Sequence, residues 1–577
     1  MCFTWHGTAR AEEVLNLGPL ALLDPLLERM EVAAIIDRHL PPDPQREFSH
    51  GQVLSLLLAA RLSSPTALVN VPAWAQQSGA DILWNIPADK LNDDRLGRAL
   101  DAFFTQRHSI LAAVAEQVLR TADLARGCLH FDTTHLLFHG AYDTSQPRPT
   151  PLPLPPTTPS ADFPPAHITY GHGAPDVKLV QAGLTAVVDE HGALPVFSHL
   201  LDGNRNGHPA IQQQFELLQQ YLPPVTDLLL VSDRGTFSAA HVARLHRQGS
   251  QVLCSVPWQD YRALFDQHRS QLHWQRASYR SIEQQRRRDT ASSLPHEHYD
   301  LAVLRHELTA PDSGEVIPCR VLFVFSTADQ KVCRRTREQA IAKIRAGLEQ
   351  IAATVQRGHR CSGRAQIERR VAKLFGNKSA QRYFHWELVP LTAEEQAALP
   401  PPGRGCRRPT HRFVIHFDAA AAAADAAYDG YAALLTTAPR THSADELFTQ
   451  FKRQNFLELV HHQWKTPLAV RPVFLKSPKR VEALLCLLQL AVTAYQLLER
   501  LYRQQVAADA PATERRMTSE SLLRQFRVYG LIVCRAPVGR VVYATRLTSR
   551  QRHILQQLRF VTPAQILARR LFPQPSG

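Results

Sequence analysis

Paired cysteines are missing from this 577-residue chain. Its nine cysteines (Cys2, Cys128, Cys254, Cys319, Cys333, Cys361, Cys406, Cys486 and Cys534) are scattered singly, and none stands in a C-x-x-C. Their odd number and spacing argue against a disulfide framework and a structural zinc site, and suit a reducing cytosol. Also missing are uninterrupted apolar runs of the roughly 18–20 residues that a membrane span needs. The opening MCFTWHGTARAEEVLNL has no basic stretch followed by an apolar core and a small-residue cleavage site. The expectation is a cytoplasmic protein with no membrane partner. Internal repeats are absent as well, and at roughly 100–200 residues per domain the length implies several domains.

What the chain has is positive charge. Lys and Arg number 66 against 52 Asp and Glu, a net charge of +14. An excess of this size favours a polyanionic partner, nucleic acid before a membrane surface, because phosphates neutralised by basic side chains release counterions. The excess is concentrated. Between Lys331 and Arg382 there are 14 basic side chains against Glu338, Glu349 and Glu368. That stretch and Arg286-Arg287-Arg288 read as phosphate-contacting surface, and their lack of interleaved aromatics suggests duplex backbone rather than stacked single strands.

The order of patterns predicts an α/β fold. Residues 1–125 read as a helical domain, with Ser49 capping SHGQVLSLLLAARLSS and Asn92 capping NDDRLGRALDAFFTQ. From about residue 126 to 257 the order is three strands, helix, strand, helix, strand: CLHFDTTHLLFHG, KLVQAGLTAVVD, ALPVFSHLLDGN, PAIQQQFELLQQYL, DLLLVSD, SAAHVARLHRQG and QVLCSVPW. The proline-rich stretch PRPTPLPLPPTTPSADFPP between the first two strands reads as a surface loop. A mixed sheet covered by helices follows from this order. Residues 258–440 read as an insertion of mixed structure, 441–510 as helices returning to the sheet, and 511–577 as a basic tail with one or two helices.

Three carboxylates could carry chemistry. Asp132 sits in mid-strand in HFDTTH, where aspartate is disfavoured unless something binds it. Asp233 closes the apolar run Leu228–Val231, at the carboxyl end of a buried strand where α/β folds place ligands, or else caps a turn. Glu458 shares a predicted helical face with Phe451, Gln454 and Lys465, or else belongs to a solvated face. Three acids at the ends of separate elements would suit two Mg²⁺ ions, since oxygen-rich sites favour Mg²⁺ and two metals about 4 Å apart stabilise the attacking and leaving oxygens of phosphodiester displacement.

With these residues in place, the layout resembles the DDE transposases of bacterial insertion sequences, in the branch marked by Y-x-x-R-x-x-x-E-x6-K on an RNase H-like core. Asp132, Asp233 and Glu458 match the three acids, and Lys465 matches the lysine. KTPLAVRPVFLKSPKRVEALLCLLQLA resembles the segment that follows the glutamate, with Arg471, Pro472 and Arg480 as markers. Phe451 and Gln454 stand where the branch has tyrosine and arginine, with Arg453 adjacent.

The resemblance implies two-metal (Mg²⁺, with Mn²⁺ as a substitute) cleavage and strand transfer of DNA, using element terminal inverted repeats and target DNA as partners. It further implies association with the nucleoid, a homodimer in the active complex, and DNA contacts by Lys465, Arg453, Gln454, Arg471 and Arg480. Two alternatives stay open: a structure-selective nuclease with the same RNase H-like core, and a non-catalytic DNA-binding protein derived from a transposase. Asp202-Gly203-Asn204 reads as a plain turn. Trp258 and Trp386 read as core or base-stacking aromatics, and His461-His462 as solvent-facing or DNA-touching histidines.

Overall fold

The computed structural model describes residues 10–148, 164–171, 174–205, 207–222, 227–233, 238–281, 297–358, 363–376, 378–404, 406–465, 475–536 and 539–571. It is mixed α/β, built on one ten-stranded sheet with many helices around it. The strand Cys128–Phe138 pairs antiparallel with Ala174–Asp189, which pairs in turn with Gly192–Asp202. On its other edge Cys128–Phe138 runs parallel to Leu229–Ser232, and that strand runs parallel to Gln251–Val256. The antiparallel strands Tyr431–Thr436, Val316–Ser326 and Tyr299–Thr309 then extend the sheet.

Both faces of the parallel centre are covered, so its strands are apolar on both sides. Leu230, Val252 and Cys254 face Leu218, Val242 and Leu245 of the helices Gly207–Tyr221 and Ala239–Arg247. Leu229, Val231 and Leu253 pack instead with Leu447 and Phe448 of the helix Ala444–Lys452.

The segment 258–440, read from sequence as one insertion, divides in two. The strands at 299–309, 316–326 and 431–436 belong to the central sheet. Between them, the helices Thr327–Gln356 and Arg364–Phe375 and the hairpin Phe384–Pro390 with His411–Phe417 enclose a separate core around Ile344, Leu348, Ile367, Val371 and Phe384. The aliphatic residues of the long helix recur at helical spacing and face this core, while its basic residues stay outside.

The N-terminal helices do not form a bundle apart. Their buried residues run into one core with the sheet and with the helix Pro478–Gln504. That helix is mostly apolar and is buried nearly all round, the polar Glu482, Gln489, Thr493, Glu499 and Arg500 included. It has the length and composition to cross a bilayer, but its most apolar window is wholly buried inside the protein. The C-terminal stretch is also more than a tail. Leu531–Ala536 and Gly539–Ala544 form a hairpin, and Arg10–Leu15 adds to it as a third antiparallel strand. The helices Ser519–Gln525, Ser549–Leu558 and Pro563–Leu571 complete that end of the molecule.

Candidate active site

Two of the three acids are set by the parallel pair at the sheet centre. In the register of these strands Phe131 lies opposite Ser232. Asp132 and Asp233 each follow the last residue of this parallel pairing: Asp233 just past the carboxyl end of its strand, Asp132 within a strand that runs on to Phe138. The third acid comes from above. The helix Asn455–Lys465 lies over Cys128–Phe138, carried there by a buried stripe of Leu457, Val460, His461 and Trp464.

Gln454, at the head of that helix, clamps it to the strand. Its amide nitrogen donates to the Phe131 carbonyl at 2.7 Å, and its Oε1 lies 2.9 Å from Nδ1 of buried His130. The helix predicted through 443–465 is therefore broken at Arg453–Gln454. Phe451 belongs to the preceding helix and packs against the core beneath it, while Gln454, Glu458 and Lys465 stay with the site.

These groups influence one another electrostatically. Burial pushes the Asp132 carboxyl up to about 7. The Thr133 N–H, donated to Oδ1 at 2.7 Å, opposes that rise, the negative charges of Asp233 and Glu458 add to it, and Lys465 opposes it. All three acids and the lysine thus act within one electrostatic neighbourhood. Asp132 is partly covered, whereas Asp233, Glu458 and Lys465 are exposed. Lys465 also helps to lower His135, which burial depresses first.

Oxygen ligands of one charge sign suit a hard divalent cation such as Mg²⁺, which would relieve the crowding of negative charge that raises Asp132. In donor type the three carboxylates match the ion. Among the described residues, however, no group of three or more His, Cys, Asp or Glu side chains is gathered tightly enough to hold a metal ion.

Other residues singled out in the sequence have varied placements. Gln454 is buried and committed to the strand. Arg480 makes a forked pair with Asp101 of the helix Asp93–Ala122, at 2.7–3.1 Å, and so joins the N-terminal helices to the helix 478–504. Arg453 is half-buried, 3.5 Å from Glu190. Arg471, Pro472 and Arg286–Arg288 lie outside the described residues. Trp258 packs among Phe265, Phe323 and Tyr431, and Trp386 stacks on Phe413. Asp202 is buried and accepts the backbone N–H groups of Arg148 and His167, which makes it an anchor for a loop.

His461 departs from expectation. The sequence places both adjacent histidines toward solvent, but only His462 is exposed, while His461 is 6% exposed and its Nδ1 stands 3.4 Å from Oδ2 of Asp132. The signal was present in the spacing: His461 shares the buried stripe with Leu457, Val460 and Trp464, at i, i+3, i+4 and i+7.

Residues 12–115 match a family model described as a domain of unknown function, DUF4277. This domain is found in transposase-like proteins. No curated protein matches the chain.

Proposed function

We propose that this protein is a DDE transposase with an RNase H-like core, cutting and joining DNA by two-metal phosphodiester chemistry. The observation that carries the reading is that Asp233 and Glu458, from two other elements, both act electrostatically on Asp132: the aspartates lie where adjacent parallel strands stop pairing, and Glu458 is on the helix laid across them. The transposase-like context of the domain at 12–115 supports it independently. So does the basic outer surface of the helices 327–356 and 364–375, where Lys331, Arg335, Lys343, Arg369, Arg370 and Lys373 are exposed.

In this reading Asp132, Asp233 and Glu458 hold two Mg²⁺ ions, for which Mn²⁺ can substitute. Bound there, the ions supply stabilisation of the attacking and leaving oxygens of the phosphodiester. The chain itself binds and orients. Lys465, about two helical turns beyond Glu458, holds a phosphate beside the acids. The sheet fixes the two aspartates in register, and the Gln454 clamp sets the height of the glutamate above them. Element ends and target DNA are the substrates, and the active complex pairs two protomers.

A structure-selective nuclease remains as a second reading on a specific observation. Gln454 occupies the arginine position of the signature and is buried against the strand, where it cannot reach DNA. The experiment that tests the primary reading uses the full chain with supercoiled plasmid and Mg²⁺ or Mn²⁺. Nicking and joined products are expected, with loss of both in Asp132→Asn, Asp233→Asn and Glu458→Gln while mobility-shift binding of DNA persists. Nicking without joining selects the nuclease, and variants that cut as well as the parent refute the assignment of the acids.

A further inference from the structure

We infer that His461 is a positioning residue of the acidic site, holding the Asp132 carboxylate in one orientation. The inference deepens the proposed function and rests on it. Both oxygens of Asp132 have a close polar neighbour. Oδ1 accepts the Thr133 N–H at 2.7 Å, and Oδ2 faces His461 Nδ1 at 3.4 Å. An aspartate has two side-chain torsions, and contacts at both oxygens restrict both of them.

The imidazole is itself held by the packing of its helix. His461 sits on the stripe that seats Asn455–Lys465 on the strand, between Val460 and fully buried Trp464. Its Nε2 is buried and, among the described residues, has no hydrogen-bond partner. With its proton on Nδ1 the imidazole would present a donor to Asp132 Oδ2, 3.4 Å away, while the Lys465 charge also acts on the ring. A leucine would fill the same volume at lower desolvation cost. The histidine is therefore explained by what it does for Asp132, because a buried polar atom without a partner is otherwise unfavourable.

The arrangement has a chemical consequence. Carboxylates that bind metal are commonly oriented by groups that do not touch the ion, and loss of such a partner costs roughly 10–100-fold in affinity or activity. His461 also reports the helix position, since the residue three before it is Glu458. One contact thereby fixes the orientation of the first acid and the distance of the third.

The test is Mn²⁺ binding by the full chain, followed by electron paramagnetic resonance, with thermal unfolding run in parallel. The variants are Asp132→Asn, His461→Leu and His461→Asn. Leucine keeps the packing and removes the donor, while the Asn side-chain amide supplies a donor near the position of Nδ1. Asp132→Asn is expected to abolish site binding. His461→Leu should weaken it by roughly 10–100-fold, with an unfolding temperature close to the parent's, and His461→Asn should recover most of the loss.

Parental affinity in His461→Leu, alongside lost binding in Asp132→Asn, overturns the positioning role and leaves the acidic site standing. Equal binding by the parent and Asp132→Asn overturns the site itself, and this inference with it. If His461→Leu does not fold, His461→Asn decides: affinity within a few-fold of the parent's supports the role, and affinity as low as that of Asp132→Asn in a folded protein overturns it.

Discussion

Replacing Glu482 with leucine removes a carboxylate that touches two buried arginines. Arg107 donates through Nε to one oxygen of Glu482 at 2.7 Å, and Arg148 donates through Nη2 to the other at 2.9 Å. That second oxygen also accepts the Ala166 N–H at 2.7 Å. The side chains of Arg107, Arg148 and Glu482 are 0%, 1% and 2% exposed. Solvent therefore cannot replace the lost partner. Breaking a buried pair from one side costs about 3–5 kcal/mol, because an uncompensated buried charge remains. At about 2–4 °C per kcal/mol for a unit of 150–250 residues, the unfolding temperature should fall by on the order of 10 °C.

Scanning calorimetry of the full chain at neutral pH reads this directly, as a shift of the transition containing the main core. A companion variant sharpens the test. Arg107→Met with Glu482→Leu removes one stranded cation and leaves Arg148 with Asp202 at 4.0 Å. The double variant should therefore be more stable than Glu482→Leu alone. A Glu482→Leu protein that melts within about 2 °C of the parent would mean that the pair contributes little. A double variant less stable than the single would refute the argument from stranded charge.

Two further outcomes follow from single contacts. Burial pushes Asp24 up to about 6 despite the Arg570 guanidinium 2.9 Å away, so the folded state holds the proton more tightly than the unfolded chain does. Its contribution to stability is present below the ordinary value of 3.8 and is lost as pH rises through about 6, about 3 kcal/mol in all. Asp24→Asn should flatten the change in unfolding temperature between pH 4 and pH 6.5, and an unchanged slope would show that this carboxyl does not titrate in the fold. At the Asp202–Asn204 turn, a Cβ on Gly203 would fall 2.1 Å from the Leu179 carbonyl oxygen and 2.6 Å from that of Thr169. Gly203→Ala should then cost about 3 kcal/mol, at the upper end of what overpacking costs. Parental thermal stability in that variant would contradict so close an approach of backbones.

The legible part of the fold was its alternating centre. Short apolar runs bounded by turn residues mark the strands that hold Asp132 and Asp233, and apolar recurrence marks the helices that cover them. What escaped depends on pairing between distant segments. Arg10–Leu15 reads RAEEVL, with no sustained alternation, and becomes a strand only because Leu531–Ala536 offers it an edge more than five hundred residues away. The break at Arg453–Gln454 escaped for a similar reason. Helical periodicity runs through it, and the chain turns there so that the Gln454 amide can bond the strand beneath. The burial of His461 was within reach, since its three apolar neighbours define the inward face, but a histidine beside another histidine is read as polar surface.

The shared core has a consequence for how the candidate site is held. The helix 478–504 is gripped near its start by the N-terminal helices, through Arg480 with Asp101 and Glu482 with Arg107. Further along, Gln496 donates to Gln463 on the helix that carries Glu458. That helix is fixed at its head by Gln454 on the first strand and at its middle by His461 beside Asp132. A continuous path of packed and hydrogen-bonded groups therefore joins the domain at 12–115 to the third acid.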